Sequence, residues 1–143
     1  MTRELWIRIR VPAHPFMKIK TIAYWVTTIL FAGMMAMSGG MYLTHSPEVA
    51  KGFAHLGYPP YFANLLGVAK LLGACALLAP RFVILKEWAY SGFAITLISA
   101  AVSHLASGDG LGHAVGPLIG LAIMAVSYVL RPVGRRVLPC SAA

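Results

Sequence analysis

Residues 61–79, YFANLLGVAKLLGACALLA, form an apolar run with a single charge, Lys70, near its middle. Its length suits a helix that crosses the hydrocarbon core of a bilayer. A lysine at the centre of such a helix costs about 2.5–3.5 kcal/mol on insertion scales. Lys70 must therefore face a partner, a wet cavity or a ligand, which makes it the first candidate functional residue.

The composition agrees with a membrane protein. The chain has 143 residues, of which 59% are hydrophobic and only 11% charged, whereas soluble domains carry about 25% charged residues. The net charge is +8, but the basic residues flank apolar runs, so they indicate a lipid bilayer and not nucleic acid as the partner.

Four apolar runs separated by proline and glycine are long enough to cross a membrane, and they lie at residues 22–43, 61–79, 88–106 and 112–130. We predict an all-α, polytopic membrane protein with a four-transmembrane-helix bundle over residues 21–132. Residues 1–20 are interpreted as a basic amphipathic or disordered leader, and residues 133–143 as a cytoplasmic tail.

The basic residues also predict the orientation. Ten of the twelve Lys and Arg residues precede the first run, follow the fourth or lie between the second and third, so they share one side of the membrane. Positive residues stay on the cytoplasmic side. We therefore expect both termini to be cytoplasmic.

Three kinds of partner can satisfy Lys70. An ion pair with Glu87 is the leading expectation, although ideal helices place the two side chains at different depths. The second alternative is a polar pocket formed by Asn64, Thr96 or Ser99. The third is an anionic or carbonyl-bearing ligand.

The opposite side collects histidines and acids, among them His45, His55, His104, His113 and Asp109. An outer-side histidine titrates near neutral pH, so His104 and Asp109 are candidates for a proton-handling pair. Their spacing includes no HxxxH, and it does not favour a metal or haem site.

The fourth run carries three glycines spaced four residues apart, Gly112, Gly116 and Gly120. This spacing puts them on one face of a helix, where another helix can approach closely.

Several segments resemble the DoxX-like family of small bacterial membrane proteins. They are SGG (38–40), GVAKLLG (67–73), LLAP (77–80), LKEWAYSG (85–92), SHLASGD (103–109) and SYVLRP (127–132). The resemblance covers about residues 18–132. It implies a four-helix bundle in the bacterial inner membrane, with Lys70, Glu87 and His104 on the family's characteristic polar positions.

The resemblance also implies two kinds of function, because the wider group includes subunits of quinone-linked redox systems and distant relatives that act as membrane chaperones. In the first hypothesis the bundle binds a quinone-like compound. Lys70 donates to a carbonyl oxygen, Glu87 holds Lys70, and His104 relays protons. The candidate ligand-binding residues are Ser38, Asn64, Thr96, Ser99 and Asp109.

No CxxC or redox-cofactor motif is present, so an oxidoreductase subunit of this kind would take its electrons from a partner protein. The alternative is a non-catalytic chaperone or assembly factor that docks a membrane protein on its glycine faces. A second alternative is a small transporter or permeability factor for apolar or aromatic compounds. Four helices form only a thin pore, so a transporter would need to be a homo-oligomer.

Overall fold

The computed structural model describes residues 15–135, which form five α-helices and a final 3-10 turn. The elements are α1 (Pro15–Leu43), α2 (Pro47–His55), α3 (Pro60–Leu78), α4 (Val83–Ala106), α5 (Leu111–Val129) and the turn Val133–Arg135. No strand occurs within this range. The prediction of an all-helical protein is confirmed.

Helices α1, α3, α4 and α5 are long and apolar enough to cross a membrane, and each coincides with one of the predicted runs. Helix α1 begins at Pro15, so residues 15–20 are helical and continuous with the first crossing. Helix α4 begins five residues earlier than predicted, at Val83, because Lys86 and Glu87 find partners at the end of the bundle. The predicted leader up to residue 14 and the predicted tail from residue 136 lie outside the described residues.

The four long helices form a closed ring in which α1 packs on α3, α3 on α4, α4 on α5, and α5 again on α1. Since consecutive crossings alternate in direction, neighbours in this ring are antiparallel. One end, called the basic end below, holds the start of α1, the α3–α4 connection and the residues after α5. The other, called the histidine end, holds α2 and the α4–α5 connection.

Helix α2 was not predicted. It is nine residues long and contains Gly52 and two charged residues, so this segment has the composition of a loop. Its buried residue, Phe53, packs edge-on against Tyr42 of α1, with ring centroids 5.1 Å apart. Phe53 also contacts the rings of Tyr58 and Phe62. These aromatic contacts fix α2 across the histidine end.

An apolar core fills the middle of the ring, and its central contact is the edge-on pair of Phe31 and Phe93, 5.1 Å apart. The core comprises Phe31, Met35, Leu77, Tyr90, Phe93, Leu97 and Met124. The outward faces of the long helices carry exposed large apolar side chains such as Ile22, Ile95 and Leu118, as contact with lipid requires. The core separates the polar groups of the two ends.

Two glycines bring α1 and α3 into close contact. A Cβ atom added to Gly39 would lie 3.0 Å from the carbonyl oxygen of Gly67, and one added to Gly67 would lie 3.0 Å from that of Gly39. Small residues at a helix crossing permit this approach. The crossing puts Ser38 and Lys70, the neighbours of this pair, within reach of each other.

Candidate functional site

Lys70 is buried at the α1–α3 crossing, with 8% of its surface exposed. Its Nζ donates a hydrogen bond to Ser38 Oγ at 2.8 Å. It also lies 3.8 Å from the centroid of the Tyr42 ring. A hydrogen bond from a charged donor contributes about 1.5–3 kcal/mol, and a cation–π contact about 0.5–2 kcal/mol. Together these two neutral partners offset the insertion cost of the lysine.

A cavity of about 150 Å³ lies beside Lys70, between α3 and α4. The residues that line it are Leu66, Ala69, Lys70, Gly73, Trp88, Ala89, Gly92, Phe93 and Thr96. A dry cavity of about this volume holds one benzene molecule. Trp88, at its border, is 73% exposed, so the cavity lies next to the lipid-facing surface.

The expected ion pair between Lys70 and Glu87 is wrong. Glu87 Oε1 instead accepts a hydrogen bond from Arg131 Nη1 at 2.7 Å. Glu87 is near the start of α4 and Arg131 follows α5, so both lie at the basic end. Lys70 is eight residues before the end of α3 at Leu78, a rise of about 12 Å. The depth difference therefore decides the pairing.

The expected polar pocket is present only in part. Thr96 lines the cavity beside Lys70, but its hydroxyl donates to the Gly92 carbonyl at 2.8 Å. Asn64 and Ser99 are exposed and do not line that cavity. Asn64 precedes Lys70 by six residues, a rotation of about 240° at 3.6 residues per turn, which places the two side chains on different faces of α3.

The basic end buries two cations, Lys86 and Arg131, whose sequence positions had indicated only the orientation of the chain in the membrane. Arg131, 4% exposed, lies 3.9 Å from the Tyr128 ring centroid as well as pairing with Glu87. Lys86, 1% exposed, donates to the Ala79 carbonyl at the C-cap of α3. Cations near the C-terminus of a helix interact favourably with its dipole and its last carbonyls.

A buried hydroxyl network lies beside these cations. Ser127 Oγ is 2.6 Å from Thr28 Oγ1 and 2.8 Å from the Tyr90 hydroxyl oxygen. Thr28 and Ser127 are fully buried, and the network joins α1, α4 and α5. Thr28 and Ser127 are each a small polar residue inside an apolar run, which indicates that each needs a partner. Only the packing shows that they meet.

Asp109 organises the histidine end. Its Oδ2 is 2.6 Å from His104 Nδ1, and its Oδ1 contacts His55 Nε2. Hydrogen bonds from His104 and His55 hold the pKa of the Asp109 carboxyl below its usual range. The expected contact of His104 with Asp109 is therefore present. His55 was the unrecognised third member, and it ties the end of α2 to the α4–α5 connection.

Two further contacts close the histidine end. The rings of His104 and His113 stack with centroids 5.7 Å apart, and the Tyr58 hydroxyl lies 2.7 Å from Ser103 Oγ. Within residues 15–135 no group of three or more His, Cys, Asp or Glu side chains is arranged to hold a metal ion. Rings connect this end to Lys70, because Phe53 of α2 packs on Tyr42 and Tyr42 packs on the ammonium group.

The three-glycine face of α5 is divided by the packing. Gly120 is buried against Leu97 of α4, with its nearest side-chain atom 3.4 Å from an added Cβ. Gly112 and Gly116 have nothing within 4 Å of such an atom. This part of α5 is open toward the bilayer.

These features are those of a small polytopic membrane bundle with a buried lysine beside a cavity. The model of the DoxX-like family matches residues 26–127, most of the chain, and the chain belongs to that family. No curated protein matches the chain, and no solved structure does.

Proposed function

We propose that this DoxX-like membrane protein binds a hydrophobic small molecule with a quinone-like carbonyl in the cavity beside Lys70, as part of a membrane redox or stress-response system. The observation that carries the proposal is the buried ammonium group whose described partners, Ser38 and the Tyr42 ring, are both neutral. An ammonium group has three donors. A carbonyl oxygen that reaches Nζ would meet a positive charge that no carboxylate among residues 15–135 pairs with.

The cavity limits the ligand. Its volume of about 150 Å³ accommodates one ring. A substituent on that ring would leave past the exposed side chain of Trp88 into the lipid. In this low-dielectric site a fixed cation polarises a carbonyl more strongly than it would in water.

The remaining candidate residues have supporting roles in this proposal. Glu87 does not tune Lys70 and instead stabilises the basic end through Arg131. His104 and Asp109, together with His55 of α2, keep α2 docked over the histidine end. Electrons would come from a partner protein in the bacterial inner membrane, because the sequence carries no redox-cofactor motif.

The test measures binding of decylubiquinone to the full chain in nanodiscs. The readout is quenching of tryptophan fluorescence, since Trp88 borders the cavity. We expect Lys70→Met to weaken binding roughly ten- to a hundred-fold, because the lost hydrogen bond from a charged donor contributes about 1.5–3 kcal/mol. The control is Lys51→Met, an exposed lysine on α2. Equal affinities in wild type and Lys70→Met would exclude the proposed role of Lys70.

The open part of α5 supports a second candidate, an assembly factor that docks a transmembrane helix of another protein at Gly112 and Gly116. Gly116→Leu would block that approach and leave the cavity beside Lys70 unchanged. Under this candidate, Gly116→Leu abolishes co-purification of a membrane partner and Lys70→Met does not. Loss of decylubiquinone binding in Lys70→Met, with binding retained in Gly116→Leu, favours the small-molecule site.

A further inference from the structure

Arg135 is held in a fixed position at the basic end, although it lies in the final 3-10 turn after the last long helix. Its Nη1 donates to the Tyr24 hydroxyl at 3.1 Å and to the Leu77 carbonyl at 3.2 Å. The guanidinium carbon lies 4.4 Å from the centroid of the Trp25 ring. Within the described residues both hydrogen bonds use the same nitrogen, and a guanidinium has five N–H donors. A guanidinium fixed in this way loses little entropy when it binds an anion.

The surroundings of Arg135 carry excess positive charge. Lys86, Arg131 and Arg135 are among the cations at this end, and Glu87 is the carboxylate that pairs with one of them. Lys86 and Arg131 are almost completely buried, so water screens their charges weakly. The end of the bundle therefore presents a field that attracts anions.

Trp25 connects this charge to an apolar surface. Below the ring that stacks on Arg135, a shallow groove runs along α1, and Thr21, Ile22, Trp25, Val26, Ile29 and Leu30 line it. Four of these side chains, Ile22, Val26, Ile29 and Leu30, are each more than half exposed. A fixed cation directly above an apolar groove matches a molecule with an anionic head and a hydrocarbon chain.

We infer that this surface binds an anionic phospholipid, with its phosphate on Arg135 and one acyl chain along the groove of α1 beside Trp25. Arginine recognises phosphate oxygens through paired N–H donors. Basic pockets at the ends of transmembrane helices bind anionic headgroups in this way. The site is independent of the proposed ligand at Lys70, which lies on α3 beyond the apolar core.

Another arginine at the same end, Arg81, provides a matched control. Arg81 also borders an apolar groove, which Phe82, Ile84 and Trp88 help to line. Arg81 is exposed, and within residues 15–135 its guanidinium makes no hydrogen bond, ion pair or cation–π contact. Removal of Arg81 takes away the same charge from the same end without removing a fixed guanidinium.

The experiment measures the melting temperature of the full chain in neutral detergent with phosphatidylglycerol or phosphatidylcholine of the same acyl chains. Phosphatidylglycerol should raise the melting temperature of the wild type by several degrees more than phosphatidylcholine. Arg135→Gln should lose this difference, and Arg81→Gln should retain it. Native mass spectrometry of wild type with an equimolar mixture of the two lipids gives a readout that needs no variant, and it should show preferential retention of phosphatidylglycerol.

Three results would overturn the inference. Equal stabilisation or equal retention of the two lipids would show that the site does not select an anionic headgroup. If Arg81→Gln and Arg135→Gln lost the extra stabilisation by phosphatidylglycerol equally, the lipid would be attracted by the overall positive charge of this end and not bound at a defined site. A shift of the same size with inorganic phosphate alone would show that the groove contributes nothing and that no lipid is needed.

Discussion

The basic end and the Lys70 site both bury cations inside an apolar bundle, but they satisfy those cations differently. Arg131 has a carboxylate, Glu87, and Lys86 has a helix-terminal carbonyl. Lys70 has a hydroxyl and an aromatic face, and a cavity lies beside it. Arg131 and Lys86 connect helices at the basic end, whereas the cavity beside Lys70 leaves room for the ligand that we propose. Burial of a cation is therefore a weaker sign of function than a cavity beside it.

The largest expected effect comes from Glu87→Gln. This change leaves the buried Arg131 guanidinium without its carboxylate, and loss of one partner from a buried ion pair costs about 3–5 kcal/mol. Glu87 is 27% exposed, so we expect the low end, about 3 kcal/mol, measured as the free energy of unfolding in detergent. Lys70→Met should unfold no more easily than wild type. Equal destabilisation by the two variants would contradict the distinction between the two regions.

Adjacent glycines of α1 test the crossing that positions Lys70. A Cβ added to Gly39 would meet the Gly67 carbonyl at 3.0 Å and the Lys70 Cβ at 3.2 Å, but one added to Gly40 would meet nothing within 4 Å. Overpacking costs about 1–3 kcal/mol, and Gly→Ala inside an exposed helix gains up to about 1 kcal/mol. We expect Gly39→Ala to destabilise the protein and weaken decylubiquinone binding, and Gly40→Ala to do neither.

The two glycine variants differ only in which side of α1 receives a methyl group. Thermal unfolding and the fluorescence assay measure both effects. Similar behaviour of Gly39→Ala and Gly40→Ala would show that the α1–α3 contact does not set the position of Lys70.

A smaller effect is expected from matched serine substitutions. Ser127→Ala removes the shared partner of the buried Thr28 and Tyr90 hydroxyls, and an unsatisfied buried polar group costs about 1–3 kcal/mol. Ser38→Ala leaves the Lys70 ammonium on the Tyr42 ring. Ser127→Ala should therefore lower the melting temperature more, and Ser38→Ala should change ligand affinity more. A reversed order would refute this assignment.

The smallest expected effect is a pH dependence at the histidine end. The folded-state pKa of Asp109 is lowered by hydrogen bonds from His104 and His55, so its carboxylate stabilises the folded protein above the ordinary carboxyl pKa. That contribution is lost as the pH falls through the lowered value. The protection of α2 amides from hydrogen exchange, corrected for the intrinsic exchange rate at each pH, should fall over this acidic range in wild type. In Asp109→Asn this protection should be low throughout and independent of pH there. A fall in protection like that of wild type would show that Asp109 does not hold α2.

The number and approximate limits of the crossings could be predicted because hydropathy and length are properties of local sequence. The contact of His104 with Asp109 could also be predicted, since the two residues are only five positions apart at the end of one helix. The contact of His55 with Asp109 joins residues 54 positions apart, and α2 itself has the composition of a loop. Neither feature leaves a signal that periodicity can detect.

Local sequence was enough to place Lys70 within a membrane-spanning helix and to require a partner for it, because one charge in an apolar run is costly wherever the run packs. The identity of that partner depends on how the helices pack. The close approach of Gly39 and Gly67 fixes the position of α3 against α1, which brings Ser38 and Tyr42 to the ammonium group. Glu87 pairs with Arg131 because the two side chains lie at the same depth along the bundle. Helix rotation and depth arise from contacts between distant segments, and the sequence of a single helix does not encode them.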